Sequence, residues 1–223
     1  ESAIDRGLLR ACTCHGRDDT APTMQRMLIL ASTSPYRREL LSRLGLAFEC
    51  HPPGVEEIAT PGEAPLALAQ RLAREKALAI LARFPDATVI GSDQVALCKG
   101  RVLGKPGSAQ RALEQLQWQR GSVTEFHTAF AVLKGDRVIE EVVTTRVQWK
   151  PETELTDARL QRYVAIERPL DCAGAAKSEG LGIVLLESVE SPDPTALIGL
   201  PMIRVSSALT ALGWELLPRL SEA

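Results

Sequence analysis

The sequence predicts an α/β fold in which a mixed β-sheet is flanked by helices and divided by a cleft into two lobes. From residue 27 onward, short apolar runs alternate with segments that carry apolar residues at helical spacing, a pattern typical of an α/β domain. Two longer runs, 123–133 and 138–149, are joined at a Gly-Asp pair and indicate an antiparallel hairpin. Together these observations favour a mixed sheet.

The elements of the first half of the chain follow from apolar runs and the residues that break them. In chain order we expect a strand at 28–31, a helix at 36–44 ended by Gly45, a strand at 47–50, a helix at 66–82, and a central strand at 88–91 that continues as a hairpin arm at 95–97. The helix at 66–82 has apolar residues at helical spacing and should be the longest.

The second half begins with a helix that Ser108 can cap. After it we expect strands at 123–133 and 138–149, an amphipathic helix at 156–166, a glycine-rich segment at 172–182, a strand at 183–186 and a final helix after Pro201. Neither an internal repeat nor a low-complexity linker interrupts this order.

The composition is that of a soluble globular protein. Of its 223 residues 45% are hydrophobic and 24% are charged, and the formal net charge is −2. We therefore expect no nucleic-acid polymer as a partner, whereas small anionic ligands need only a local basic pocket. The chain should form one domain at 27–217, with a flexible N-terminal extension at 1–26 and a C-terminal tail at 218–223.

The compartment is inferred from the cysteines and from the hydropathy of the chain. Five scattered cysteines argue against a disulfide framework and for a reducing compartment. Residues 1–26 lack the apolar region of a signal peptide, and no apolar run reaches the ~18 residues that span a membrane. We expect a cytoplasmic protein without a membrane partner. Cys12, Cys14 and His15 suggest a metal clip, but no second ligand pair follows, and a mobile tail is the simpler interpretation.

An anion-binding corner is predicted where the first strand meets the first helix. The apolar run 28–31 leads into three hydroxyl residues at 32–34, and Pro35 suits the first helical position. Free backbone N–H groups at such a helix start attract phosphate, and Arg37 and Arg38 add charge-assisted hydrogen bonds. The alternative is an ordinary capped turn with solvated arginines.

Asp93 is the strongest candidate for catalysis. It follows the apolar run 88–91 at the expected carboxyl end of a strand, where ligands of open α/β sheets collect. A carboxylate there can hold a divalent metal or take a proton from an attacking water, although a turn aspartate is the alternative. Glu56 and Glu57 can complete a carboxylate set suited to magnesium or manganese, or else form an acidic surface loop.

Two lysines and a glycine-rich loop complete the candidates. Lys76 lies either on a solvated helix face or inward, as a point charge for phosphate. Residues 100–106 lack the spacing of a phosphate loop, which disfavours a kinase-type NTPase, but Lys105 can reach a phosphate from its turn. The segment 173–182 lets a ligand approach its backbone closely and offers Glu179, unless it is simply a flexible loop.

Four segments resemble the Maf-like nucleoside triphosphate pyrophosphatases in order and approximate spacing, and the resemblance runs from about residue 27 to 217. They are Ala-Ser-Thr-Ser-Pro-Tyr-Arg-Arg-Glu-Leu-Leu at 31–41, Gly-Ser-Asp-Gln-Val at 91–95, Gly-Lys-Pro at 104–106 and Gly-Leu-Pro at 199–201. The resemblance implies an elongated Maf/ITPase-like α/β fold with a cleft. It also implies hydrolysis of a nucleoside triphosphate to a monophosphate and pyrophosphate, with a divalent metal cation (Mg or Mn), and a possible homodimer.

The resemblance implies a role for each candidate residue. Asp93 would accept the proton of the attacking water and, with Glu57, hold the metal. The residues that bind the triphosphate would be Ser32, Arg37, Arg38, Lys76 and Lys105.

Three positions indicate the branch of the family that acts on 7-methyl-GTP. The dTTP/UTP branch usually has Arg, Thr and Gln where this chain has Tyr36, Gln94 and Glu179. A methylated guanine is positively charged, so stacking on Tyr36 would gain ~0.5–2 kcal/mol, and Glu179 can accept hydrogen bonds from guanine N1 and N2. A dTTP/UTP pyrophosphatase and a nucleotide-binding regulator of cell division stay open as alternatives.

Overall fold

The computed structural model describes residues 26–217, which form one mixed seven-stranded sheet with helices around it. The strands are β1 (Leu28–Ala31), β2 (Glu49–Cys50), β3 (Thr88–Cys98), β4 (Arg101–Leu103), β5 (Val123–Lys134), β6 (Arg137–Trp149) and β7 (Leu186–Glu190). The α-helices are α1 (Pro35–Ser42), α2 (Pro65–Leu81), α3 (Ala109–Gln119), α4 (Asp157–Glu167) and α5 (Met202–Ala211). Short 3-10 helices occupy Ala173–Ala175, Leu181–Leu185 and Ala196–Ile198.

The pairing of the strands confirms the prediction of a mixed sheet. Its order is β2-β1-β3-β5-β6-β7, with β4 attached to the far part of β3. Strands β2, β1 and β3 are parallel, and all other pairs are antiparallel. The predicted hairpin of β5 and β6 is present, and Gly135 adopts the positive φ of 54° that its two-residue turn requires.

Strand β3 is longer than expected, which changes the position of Asp93. The sequence predicts that Asp93 follows the end of a strand, but it lies in the middle of β3. The reason is that the parallel partner β1 ends at Ala31, opposite Gly91, while β3 stays paired with β5 as far as Cys98 and pairs with β4 on its other edge over 96–98. Asp93 therefore still lies just beyond the carboxyl edge of the parallel part of the sheet, where α/β proteins place their ligands.

The prediction of a strand at 183–186 is wrong. Residues 181–185 form a 3-10 helix, and β7 begins only at Leu186. The chain turns tightly at Gly182, where a Cβ atom would lie 2.4 Å from the carbonyl oxygen of Lys177. Ile183 and Val184 are exposed as a result, so their apolar character did not signal a buried strand.

The buried hydrophobic residues of the described chain form four clusters, and two of them lie around different parts of β5. One buried cluster joins α3 and α4 to the far ends of β5 and β6, and includes Leu116, Phe126, Trp149 and Leu160. Another joins α1 and α5 to β1 and the other end of β5, and includes Leu30, Leu40, Phe130 and Leu209.

No helix in the described part of the chain, 26–217, is long and apolar enough to cross a membrane. The expectations for the N-terminal extension, for the metal clip of Cys12, Cys14 and His15, and for the tail at 218–223 fall outside the described residues, apart from Arg26.

Candidate active site

A cavity of about 740 Å³ is lined by residues of the first cluster, such as Phe126, by residues of α1, α2 and β3, and by the loops around them. Its volume lies within the ~300–1,000 Å³ typical of small-molecule sites. It brings together nine of the ten residues that the sequence predicts for the site: Ser32, Tyr36, Arg37, Glu57, Lys76, Asp93, Gln94, Lys105 and Glu179.

Arg38 is the exception, because the structure places it outside the cavity. Arg37 lines the cavity, whereas Arg38 is exposed and does not. Consecutive residues on an α-helix point about 100° apart, so α1 can direct only one of the two arginines to the cavity. Glu56 is likewise exposed outside the cavity, while its neighbour Glu57 lines it.

A buried lysine joins the two carboxylates of the predicted catalytic centre. The ammonium of Lys76 donates to Asp93 Oδ1 at 2.5 Å and to Glu57 Oε1 at 2.5 Å. The side chains of Lys76 and Asp93 are only 4% and 9% exposed, while that of Glu57 is 48% exposed. The alternative that Lys76 belongs to a solvated helix face is therefore wrong.

Close packing of α2 on β3 positions this lysine. A Cβ atom on Gly91 would lie 2.1 Å from the carbonyl oxygen of Ala73 and 2.7 Å from the amide nitrogen of Ala77. Only glycine lets the helix approach the strand so closely. Lys76 lies on this part of α2, and Asp93 follows Gly91 by two residues on the strand.

The electrostatics of the centre are dominated by its cations. Burial raises the pKa of Glu57, but the hydrogen bond and charge of Lys76 and the charges of Lys105 and Arg37 outweigh it, so the pKa lies below its usual value. Burial lowers the pKa of Arg37, and the charges of Asp93 and Glu57 oppose this change. Glu57 is thus held in its anionic form among three cations.

The predicted anion-binding corner adopts the capped geometry. Ser34 Oγ accepts from the backbone N–H of Arg37 at 3.4 Å, and Pro35 is the first residue of α1. Ser32 Oγ accepts from the N–H of Ser34 at 3.1 Å. Arg37 Nε donates to the carbonyl of Gly199 at 2.9 Å, and its terminal nitrogens have no hydrogen-bond partner within 26–217. The corner therefore offers a guanidinium edge to an anion.

Gln94 has a fixed amide orientation. Its Nε2 donates to the backbone carbonyls of Ala196 and Leu197, each at 3.0 Å, and to Thr128 Oγ1 at 2.9 Å. Carbonyl oxygens only accept hydrogen bonds, so the amide cannot be turned round without loss of both contacts. Gln94 therefore offers its oxygen, an acceptor, to the cavity.

Tyr36 lines the cavity beside the loop that follows α4. Its hydroxyl donates to Asp171 Oδ1 at 3.2 Å, and the thiol of Cys172 lies 3.7 Å from the same hydroxyl. Burial, followed by Cys172 and Asp171, raises the pKa of Tyr36, and burial also raises the pKa of the Cys172 thiol to about 12. A thiol with this pKa carries almost no thiolate at neutral pH, which disfavours Cys172 as a nucleophile.

Glu179 reaches the same cavity from the glycine-rich loop. Burial raises the pKa of its carboxyl, while the charge of Lys177 lowers it and the charges of Glu167 and Glu39 raise it. Tyr36, Gln94 and Glu179 are thus three lining residues of a single cavity, although they are far apart in sequence.

Sequence reasoning missed the loop that supports the corner. Asp193 is fully buried, and its carboxylate accepts from the backbone N–H groups of Ile203 at 2.8 Å and Arg204 at 3.3 Å, which caps α5. Thr195 donates its hydroxyl to the same carboxylate at 2.8 Å. The available signal was an aspartate between two prolines, close before the final helix.

The same loop ends at Gly199, whose carbonyl accepts hydrogen bonds from one residue of α1 and one residue of β3. It accepts from Arg37 Nε at 2.9 Å and from Ser92 Oγ at 3.0 Å. Its φ of 124° is readily adopted only by glycine. Gly199 therefore connects α1 to β3. The signal for this role in the sequence was that Gly199 begins the Gly-Leu-Pro segment, one of the four that resemble the Maf-like family.

The chain is similar to a known protein family and to several named proteins. Residues 27–212 match the family described as Maf-like protein. Proteins named 7-methyl-GTP pyrophosphatase are similar over most of their length: one from Aromatoleum aromaticum is 54% identical over 188 residues (83% of this chain, 95% of that protein), and one from Polaromonas sp. is 52% identical over 190 residues (84% and 85%). A third, from Albidiferax ferrireducens, is 50% identical over 194 residues (87% and 97%).

Among solved structures, a HAM1 protein from Coxiella burnetii overlaps only in part. It has a TM-score of 0.35 and 14% identity, and the overlap covers 56% of this chain and 73% of that one. The family of the chain is shown instead by the family match, which spans nearly all described residues, and by relatives that are about 50% identical in sequence. The chain belongs to the Maf-like protein family.

Proposed function

We propose that this protein hydrolyses 7-methyl-GTP to 7-methyl-GMP and pyrophosphate. The observation that carries the proposal is that one cavity has the Lys76 centre with its two carboxylates together with Tyr36, Gln94 and Glu179. A triphosphate needs cations and a proton acceptor, and a base needs a stacking surface and hydrogen-bond partners. The names of the relatives support the same substrate.

The cations of the cavity are suited to a triphosphate. Arg37 offers the edge of a guanidinium, which matches phosphate oxygens, and Lys105 adds an exposed ammonium that also lies close enough to affect Glu57. Lys76 is already paired with two carboxylates. We infer that Arg37 and Lys105 bind phosphate directly and that Lys76 chiefly holds Asp93 and Glu57 in place.

Asp93 is the proton acceptor of the proposed reaction. Lys76 binds its Oδ1, and Oδ2 has no hydrogen-bond partner within the described chain, so one oxygen is available to a water molecule. The water loses a proton to Asp93 as it attacks, and the phosphoanhydride bond between the α and β phosphates breaks. The products are the nucleoside monophosphate and pyrophosphate, and the cations stabilise the charge of the leaving group.

A divalent metal, magnesium or manganese, fits the donors present. The described residues hold no cluster of three or more His, Cys, Asp or Glu side chains, but magnesium is usually bound by one or two carboxylates with phosphate oxygens and water. Glu57 and Asp93 would hold it, and Glu57 is exposed enough to exchange partners. A metal bound there supplies positive charge that polarises the phosphate oxygens.

The base-binding residues favour guanine over a pyrimidine. Gln94 and Glu179 both offer acceptors, which suit the adjacent N1–H and N2–H donors of guanine. Uracil and thymine instead offer one N–H flanked by two carbonyls, and these would face the acceptor oxygens. The ring of Tyr36 can stack on the base, and it gains more from a base that is positively charged after 7-methylation.

A substrate panel tests the proposal. Pyrophosphate release is measured from 7-methyl-GTP, GTP, dTTP and UTP, with magnesium or manganese, for the wild type and for Asp93→Asn as a control for contaminating activity. We expect the highest kcat/KM for 7-methyl-GTP. A higher value for dTTP or UTP would overturn the substrate assignment, and nucleotide binding without pyrophosphate release would favour the regulator.

We propose that the protein acts in the cytoplasm, as a homodimer, on a free nucleotide. Scattered cysteines and a net charge of −2 support a cytoplasmic protein that acts on a small nucleotide and not on nucleic acid or a membrane. A homodimer is proposed from family resemblance, and light scattering on the purified protein tests it.

A further inference from the structure

The loop that carries Glu179 is held from outside the cavity by the end of α4. This base-binding loop, residues 177–182, receives three contacts there. Glu167 Oε1 accepts from the backbone N–H of Leu181 at 3.1 Å, and the backbone carbonyl of Glu167 accepts from Lys177 Nζ at 3.2 Å. The hydroxyl of Tyr163, one turn earlier, accepts from the backbone N–H of Lys177 at 3.0 Å. Both ends of the loop are therefore fixed to one helix.

The loop also packs directly on the carboxylate of Glu167. A Cβ atom on Gly180 would lie 3.1 Å from each of the two carboxylate oxygens. Gly182 packs still more closely on the other end of the loop, because its Cβ would be 2.4 Å from the carbonyl oxygen of Lys177. A loop closed on itself in this way has little room to move while Glu167 remains in contact.

Lys177 connects the loop to the residue proposed to stack on the base. Its ammonium lies 5.9 Å from the centroid of the Tyr36 ring, within the range of a cation–π contact. The same ammonium lies 4.0 Å from Glu167 Oε2. Lys177 thus touches α1 through Tyr36 and α4 through Glu167, and it belongs to the segment that carries Glu179.

Neither Glu167 nor Lys177 lines the cavity, whereas Tyr36 and Glu179 do. We propose that Glu167, through Lys177 and the backbone of Leu181, is a positioning residue that sets the distance between Tyr36 and Glu179 and thereby the affinity for the base. The inference rests on the proposed function, because it assumes that these two residues bind the base. It assigns no role to Glu167 at the triphosphate end.

The test separates binding of the base from binding of the triphosphate. Glu167→Ala removes the acceptor of Leu181 N–H, while Glu167→Gln keeps an oxygen in that place. Steady-state kinetics are measured with the triphosphate that the wild type hydrolyses best, and inhibition by tripolyphosphate, which has no base, is measured beside it. Glu154→Ala is the matched control, since Glu154 pairs with Lys150 at 3.8 Å outside the cavity.

We expect Glu167→Ala to raise KM about five- to tenfold with kcat within about twofold of the wild type. The inhibition constant of tripolyphosphate should be unchanged, and Glu167→Gln and Glu154→Ala should resemble the wild type. An unchanged KM in Glu167→Ala, a KM in Glu167→Gln as high as that of Glu167→Ala, or a parallel weakening of tripolyphosphate binding would overturn the inference.

A second pair of variants keeps the test valid if Glu167→Ala does not fold. Lys177→Met removes the contact to the carbonyl of Glu167, and Lys177→Arg retains a cationic donor. The same KM increase is expected for Lys177→Met alone, and equal behaviour of the two would overturn the inference. Failure of the proposed function is recognised separately, because the wild type would then prefer another triphosphate in the substrate panel. The kinetics of Glu167→Ala and Glu167→Gln could still be compared with that triphosphate.

Discussion

Lys76 Nζ and Asp93 Oδ1 lie 2.5 Å apart in a pair that is almost completely removed from solvent. The lysine comes from α2 and the aspartate from the middle of β3, so the pair depends on how closely the helix lies on the strand. An isolated buried carboxylate is costly, and a paired one is tolerated. The geometry therefore leaves Asp93 as a rigidly held carboxylate with one oxygen available for chemistry.

Replacing Asp93 by Asn should remove the proton acceptor and leave the shape of the site unchanged. We expect kcat to fall by ~10²–10⁴-fold, the usual contribution of a general base. Affinity for a nucleotide with a non-hydrolysable α–β bridge should change little when titration calorimetry measures it without added metal, since Asp93 is also a proposed metal ligand. If Asp93→Asn retained the wild-type rate, another residue would have to accept the proton.

Arg37 and Arg38 should differ sharply although they are adjacent and identical. Arg37→Ala removes the guanidinium that lines the cavity, and we expect KM for the nucleotide to rise by ~10-fold or more. Arg38→Ala is the matched control, because its side chain is exposed outside the cavity, and its KM should stay within about twofold. Both values come from pyrophosphate release, and equal effects of the two variants would contradict the assignment.

Gly91 should tolerate no side chain. Gly91→Ala places a methyl group against the backbone of α2, so the helix must move from β3, and we expect a loss of ~1–3 kcal/mol in the free energy of unfolding. The remaining folded protein should also be less active, since Lys76 moves with the helix. Gly104→Ala is the control for stability, because no described atom lies within 4 Å of its added Cβ. Urea unfolding followed by fluorescence compares the two, and similar midpoints would disprove the close approach.

Glu57 should contribute to the pH dependence of stability. Burial opposes its ionisation, but Lys76, Lys105 and Arg37 together lower its pKa in the folded state. A carboxyl with a lowered pKa stabilises the fold above its unfolded-state pKa of ~4.3, and this contribution is lost as the pH falls through the folded-state pKa. Glu57→Gln should therefore lose stability at neutral pH and show a flatter profile below pH ~5.

The measurement for this prediction is urea unfolding at a series of pH values. Glu56→Gln serves as the control, since Glu56 is exposed outside the cavity and should leave the profile close to that of the wild type. A Glu57→Gln profile that coincides with the wild-type profile would show that the pairing with Lys76 is not maintained in solution.

Local patterns predicted most elements, and nine of the ten residues predicted for the site line one cavity; the differences have a common cause. The alternating runs and the hairpin turn depend on neighbouring residues, so the sheet and helices could be predicted from them. Whether Arg37 or Arg38 faces the cavity depends on how α1 is rotated about its axis relative to the sheet. Two adjacent arginines do not indicate this rotation, because either of them could face the cavity. The roles of Asp193 and Gly199 depend on partners far away in the fold, including Arg37 at a separation of 162 residues.

Exchanging the three base-binding residues should change the preferred nucleotide. In Tyr36→Arg/Gln94→Thr/Glu179→Gln, the stacking surface is lost together with its cation–π contribution of about 1 kcal/mol, which alone is a factor of about five in affinity for a cationic base. The carboxylate acceptor becomes an amide that can donate to a pyrimidine carbonyl, and the fixed acceptor of Gln94 is removed. We expect kcat/KM to fall for 7-methyl-GTP and to rise for dTTP and UTP, whereas tripolyphosphate should inhibit at least as strongly as in the wild type, because Arg37, Lys76 and Lys105 are unchanged and the variant adds a cation to the cavity. Pyrophosphate release from the four nucleotides measures the change, and a triple variant that kept its preference for 7-methyl-GTP would show that these residues do not select the base.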